Sequence, residues 1–274
     1  MTAGVPLRAL GRDFEPAVVS TIDARLRSID RDHRARVLLA VESGSRAWGF
    51  PSPDSDYDCR FIYVRRRDDY LSLFPPRDVI ELAQDKVLDV NGWDLAKALR
   101  LLLKGNAVVV EWLTSPYVYA GDASFRDEGR ALARQVLRPA AVARHYLHLG
   151  ERQRRTYFAD VRAIELKKMF YALRPAVALR WLRLHSGEAV APMHFPTLVR
   201  ESELPAEVVM IIDDLLVRKA ETRELGRGPL PTTVGALIDE EFERARDVWP
   251  DRAEPPAVND KLAADALLRR WVCG

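Results

Sequence analysis

The sequence predicts an α/β (α+β) fold, with a small mixed β-sheet in front and a mostly helical region behind. Three observations carry that prediction. Two strand-length apolar runs, residues 37–41 and 56–64, flank a turn rich in Pro and Ser. Two more short runs, 78–82 and 86–90, follow across a polar turn. From about residue 124 onward the pattern becomes helical, which sets expected domains of 1–123 and 124–274.

Taken in order, residues 14–29 read as an opening helix. The run 37–41 is continuous, apolar and branched, as a buried strand should be, and it ends at Ser43-Gly44-Ser45. Arg46-Ala47-Trp48 can begin a short helix, and Pro51, Pro53 and Asp54 force a turn before the strand 56–64. A basic, Pro-interrupted segment spans 65–77. A helix over 95–104 stops at Gly105-Asn106. Residues 108–113 fit a helix or a strand equally. Helices are expected over 124–136, 140–149, 152–173, 175–185, 204–220 and 262–272, with Pro175 ending or kinking its helix. Residues 186–187 and 223–231 read as loops, and 250–259 as a Pro-rich tail.

Composition excludes several classes. Apolar residues make up 48% and charged residues 30% of 274, the usage of a globular protein with a full core. No apolar stretch suits a membrane span, and the N-terminus lacks a signal-peptide core, so no membrane partner is expected. Two cysteines, Cys59 and Cys273, are too few for a disulfide framework and fit a reducing, cytoplasmic setting. The five histidines show no zinc-ligand spacing. Net charge is only +2, yet residues 151–185 hold nine Arg or Lys against three acids. A basic helical region facing an acidic strand is what a nucleotide or nucleic-acid cleft requires. Oligomeric state is not legible.

The strand 56–64 is the chemically informative one. Alternate residues share a face, so Asp56, Asp58 and Arg60 point one way and Tyr57 and Cys59 the other. Adjacent carboxylates repel unless a cation lies between them, and paired oxygen ligands suit Mg²⁺ completed by phosphates and water. Gly44, followed by Ser45 and a gap of ten residues before Asp56, allows a bulky anion against the backbone. Lys167, Tyr171 and Arg174 recur at helical spacing and share a face. That face can clamp a triphosphate or an RNA backbone, or be a basic surface packed by Tyr171.

Gly44-Ser45 followed by Asp56-Tyr57-Asp58 resembles the DNA polymerase β-type nucleotidyltransferase superfamily. The stretches Arg46-Ala47-Trp48-Gly49-Phe50, Asn91-Gly92-Trp93-Asp94, Glu111-Trp112-Leu113-Thr114 and Lys167-Lys168-Met169-Phe170-Tyr171 are similar to a bacterial and phage nucleotidyltransferase family associated with RNA repair. The resemblance covers roughly residues 37–225. It implies a small nucleotidyltransferase domain and a helical domain closing one side of the cleft. It also implies transfer of a nucleoside monophosphate from an NTP to a hydroxyl, an RNA 3′ end first among acceptors, with pyrophosphate released. Nucleotidylation of a protein or small molecule, including a toxin-type activity, and a non-catalytic RNA- or nucleotide-binding role on the same scaffold are the alternatives. Asp56, Asp58 and Asp89 are the implied catalytic and metal-binding set, with two Mg²⁺ ions, or Mn²⁺. Glu81 and Asp94 rival Asp89, although Asp94 also suits a helix cap. The nucleotide-binding set is Gly44, Ser45, Arg46, Arg60, Lys167, Lys168, Tyr171 and Arg174. Arg60 departs from the apolar residues usual after the second Asp, and either reaches the triphosphate or screens the carboxylates.

Overall fold

Helix α1 (Pro16–His33) leads through Arg34, in the left-handed conformation, directly into strand β1 (Ala35–Glu42). After the short helix α2 (Gly44–Ala47), strand β2 (Tyr57–Arg65) returns antiparallel to β1. Helix α3 (Arg67–Tyr70) and strand β3 (Val79–Glu81) precede strand β4 (Leu88–Asp94), which runs parallel to β2 and antiparallel to β3. Strand β5 (Val118–Gly121) pairs antiparallel with the free side of β1, giving the sheet order β3-β4-β2-β1-β5. This computed structural model describes residues 5–85, 87–222, 225–249 and 254–273. The expected strand start at Lys86, the beginning of the 223–231 loop and that of the 250–259 tail lie outside the described residues.

Strand alternation sorts β2 between two cores. Cys59, Phe61 and Tyr63 pack with Ile22 and Ile29 of α1, Val90 and Tyr119. Ile62 and Val64 face the opposite way, into a cluster that runs from Leu38 to Leu267 near the C-terminus. A bulge between Val37 and Leu39 turns both Leu38 and Leu39 into that second core. By the same period, Asp58 and Arg60 face the helical side of the sheet.

Helix α4 (Leu95–Leu102) is capped by Asp94, whose Oδ1 accepts from Ala96 N at 2.8 Å. Helix α5 (Ala107–Thr114) resolves the ambiguous 108–113 run: Asn106 caps it, accepting from Val108 N at 2.9 Å, and burial outweighs the β preference of three valines. Helices α6 (Ala123–Val136) and α7 (Pro139–Tyr157) follow. A two-residue strand β6 (Ile164–Glu165) precedes α8 (Leu166–Leu184), α9 (Phe195–Glu201) and α10 (Ala206–Glu221). Strand β7 (Arg227–Gly228) pairs with β6, and α11 (Thr232–Val248) and α12 (Val258–Cys273) complete the chain. Among the described residues no helix is long and apolar enough to cross a membrane.

Helix boundaries between 140 and 185 differ from expectation, and α7 runs unbroken through 150–151. The expected 152–173 helix breaks after Tyr157, where Asp160 Oδ1 accepts from Arg162 N at 3.0 Å and turns the chain. Pro175, expected to end or kink a helix, lies inside α8. Packing of α8, buried along most of its length, offsets the backbone hydrogen bond that Pro175 cannot make. Gly150 of α7 also lets that helix approach so closely that a Cβ there would sit 3.1 Å from Pro175 Cβ.

A buried ion pair ties the sheet's first turn to the helices. Arg174 and Glu111, 4% and 8% exposed, meet at 2.8 Å. Trp48 Nε1 donates to Glu111 at 3.1 Å, Tyr146 donates to it at 3.3 Å, and Arg174 Nη2 donates to Met193 O at 3.1 Å. The guanidinium also lies over the Trp48 ring at 4.7 Å. Breaking such a pair from one side strands a buried charge. Glu111→Ala is therefore expected to cost about 3–5 kcal/mol in urea denaturation. The double change Glu111→Leu/Arg174→Met is expected to cost less than that single one.

Candidate active site

Three separate contacts fix Asp58 at the start of β2. Ser43 N donates to Asp58 O at 2.9 Å, and Asp58 N donates to Glu42 Oε1 at 3.0 Å. Glu42 is fully buried at the end of β1, where the Tyr119 hydroxyl donates to its other oxygen and Ser115 Oγ donates to its carbonyl at 2.7 Å. Burial pushes the Glu42 carboxyl up to about 8. Gly44 has φ +61°, and a Cβ there would fall 2.0 Å from Asp58 Oδ2. Position 44 therefore requires glycine both for its backbone and for this approach.

The parallel register sets Asp58 beside Asp89 and Arg60 beside Asn91. Arg60 Nη2 reaches Asp58 Oδ1 at 2.8 Å and Asp89 Oδ2 at 2.6 Å. The Asp58 carboxyl is raised from its ordinary value chiefly by burial, with Arg60 opposing and Asp89 and Asp56 adding to the rise.

A cavity of about 360 Å³ opens at this point, bounded on the sheet side by Gly44, Ser45, Asp56, Asp58 and Arg60. Helices α8 and α10 contribute Lys167, Tyr171 and Lys219 to its opposite side. Ser45 Oγ donates to Ser55 Oγ at 3.0 Å, which in turn accepts from Ser52 N at 2.8 Å, holding the 51–56 loop against the turn. Lys219 is buried, with Nζ donating to Phe50 O at 2.7 Å. Burial, then Lys167, lower its amine to about 8; Asp54 opposes and Arg46 adds to the lowering.

A model of the RNA repair pathway DNA polymerase beta family matches residues 18–270. The chain belongs to that family. It is also 34% identical over 253 residues to an uncharacterized protein, YcgL, of Bacillus subtilis (strain 168), covering 91% of this chain and 96% of that one. Membership places the chain among DNA polymerase β-like nucleotidyltransferases linked to RNA repair.

The structure brings together seven of the residues picked from sequence in this RNA repair family member, and separates four from the cavity. Gly44, Ser45, Asp56, Asp58, Arg60, Lys167 and Tyr171 line it. Arg46 instead holds the 51–56 loop, donating to Ser55 O at 2.8 Å and lying 4.0 Å over the Tyr57 ring. Lys168 sits 5.0 Å from the rings of both Tyr157 and Tyr171. Arg174 is enclosed with Glu111, and Asp89 is held by Arg60. Of the rivals to Asp89, Asp94 caps α4 and Glu81 pairs with Arg77. Five of the nine basic residues in 151–185 are committed to acids: Arg154, Arg162, Arg174, Arg180 and Arg183.

Among the described residues no three His, Cys, Asp or Glu side chains are grouped about a metal position. Asp56 and Asp58 nevertheless fit a divalent ion. Both line one cavity, their donors are hard oxygens, and Mg²⁺ takes one or two carboxylates beside substrate phosphates. Sequence reasoning missed Glu42, whose apolar surroundings hide it at a strand end, and Lys219, which no motif marks.

Lys219 supplies a pH test. Between pH 8 and 10.5 the unfolded chain holds more protons at this amine than the folded one, so its contribution to stability rises with pH there. Thermal melts from pH 7 to 10 should show the wild type gaining on Lys219→Met across that window. A constant difference would contradict the buried amine.

Proposed function

We propose that this cleft transfers a nucleoside monophosphate from an NTP to an acceptor hydroxyl, with an RNA 3′ end as the acceptor. The observation that carries the reading is the arrangement of charge across one cavity. Asp56 and Asp58, Lys167 and Lys219, and the Gly44-Ser45 turn all line it. Carboxylates beside lysines around a glycine turn suit a magnesium-bound polyphosphate better than either charge alone.

In this reading Asp56 and Asp58 hold a divalent ion, Mg²⁺ or Mn²⁺, which when bound neutralises phosphate charge and lowers the pKa of a coordinated hydroxyl. Gly44 leaves room for the triphosphate against the turn, and Ser45 holds the 51–56 loop beside it through Ser55. Lys167 and Lys219 face the β- and γ-phosphates. The acceptor hydroxyl loses its proton to solvent, its oxygen bonds to the α-phosphorus as the bond from that phosphorus to the bridging oxygen breaks, and pyrophosphate leaves towards the lysines. Tyr171 borders the same cavity, where its ring offers a stacking surface to the acceptor or the base. The family's link to RNA repair favours RNA.

Label transfer from each of four α-³²P ribonucleoside triphosphates, with Mg²⁺ or Mn²⁺ and with total RNA and cell protein offered, tests this directly. Label should enter RNA and fall by at least on the order of 100-fold in Asp58→Ala, with circular dichroism unchanged. Label entering protein instead would overturn the acceptor. Transfer insensitive to Asp58→Ala, or no transfer, would overturn the reading.

A further inference from the structure

Arg60 occupies the space between two acids that the sequence assigned to metal. Its Nη2 meets Asp58 Oδ1 and Asp89 Oδ2 at 2.8 and 2.6 Å, and its Nη1 donates to Asp89 O at 2.8 Å. Asn91 Nδ2 donates to Asp89 Oδ1 at 3.2 Å, so both carboxylate oxygens of Asp89 are engaged. Asp58 is engaged through Oδ1, while Oδ2 faces the Gly44 backbone beside the cavity. The arrangement is built by the sheet, because Asp58 pairs with Asp89 and Arg60 with Asn91 across parallel strands.

We propose that Arg60 takes the place of a second divalent ion at the Asp58–Asp89 pair, leaving a one-ion site formed by Asp56 and Asp58. Asp89 is then a positioning residue that acts through Arg60. This inference rests on the nucleotidyltransferase reading above. A guanidinium stays charged at every accessible pH, and its fork satisfies two carboxylates and a carbonyl at once. The Arg60 side chain is only 16% exposed. An ion entering between Asp58 and Asp89 would have to break two charge-assisted hydrogen bonds and leave that guanidinium stranded. Asp56 has no such competitor among these contacts and lies at the cavity, so the ion is taken there. The fixed charge also lowers the affinity of Asp58 for any second cation.

The test is Mn²⁺ alone, titrated into full-length protein and followed by the electron paramagnetic resonance signal of the free ion. Ions are counted as those lost in Asp56→Asn/Asp58→Asn. The wild type should bind one such ion. Asp89→Asn should leave its affinity within about threefold, while Asp58→Asn weakens it by about tenfold or more, the effect of one neighbouring charge. Arg60→Gln should tighten binding by about tenfold and admit a second ion that Asp89→Asn removes. Two ions in the wild type, or an Asp89→Asn loss equal to that of Asp58→Asn, would overturn the inference while leaving the nucleotidyltransferase reading standing. No ion lost in the double variant would overturn both. The wild-type count and Asp89→Asn decide the matter even if Arg60→Gln fails to fold.

Discussion

Asp58 stands at the head of β2 with Asp56 and Asp89 close by, and like charges so placed separate unless something holds them. At an effective dielectric constant of 20, two unit charges 4 Å apart repel by about 4 kcal/mol, comparable to the whole contribution of a good structural contact. Arg60 offsets that repulsion, and two further features hold Asp58 in place. Glu42 accepts the Asp58 backbone N–H, Gly44 offers a surface without a side chain, and Arg60 bridges Asp58 to Asp89. Each uses a different part of Asp58, so the carboxylate is fixed from its backbone outward. The same crowding that costs stability is what makes the site attract a cation.

The helical half is matched to the sheet through the segment that follows the glycine turn. Phe195 N donates to Trp48 O at 2.8 Å, and Phe50 stacks on Phe170 with centroids 5.0 Å apart. Gly49, at φ +84°, lies so near His194 that a Cβ would fall 2.3 Å from its ring. Lys219 reaches the Phe50 carbonyl from α10. A residue on this short segment thus touches α8, α9 and α10, and its position decides where the lysines of the cleft stand. The sheet brings acids, the helices bring bases, and residues 48–50 set the distance between them.

What was legible in the sequence was local. Gly44-Ser45 and Asp56-Tyr57-Asp58 could be read because a turn and one strand carry both, and the strand's alternation correctly set Asp58 and Arg60 on one face. What was illegible depended on burial. Lys167, Tyr171 and Arg174 share a helical face by spacing, yet Arg174 lies one turn further into the core, where Glu111 neutralises it. The basic run 151–185 read as one side of a nucleotide or nucleic-acid cleft, and Glu241 and Asp239, distant in sequence, take up three of its arginines. Helix α11 escaped detection behind Pro229 and Pro231, with Gly235 in its first turn, and β5 is too short for any period to show. Composition announced a cleft of the right character; tertiary pairing decided which charges belong to it.

The most direct measurement is anomalous diffraction from crystals containing Mn²⁺ and α,β-methylene-ATP, a non-transferable nucleotide. The account expects a manganese peak touching the carboxylates of Asp56 and Asp58, with the triphosphate running from Gly44-Ser45 towards Lys167 and Lys219. A nucleotide seated outside this cleft, or manganese held elsewhere with the cleft empty, would contradict it.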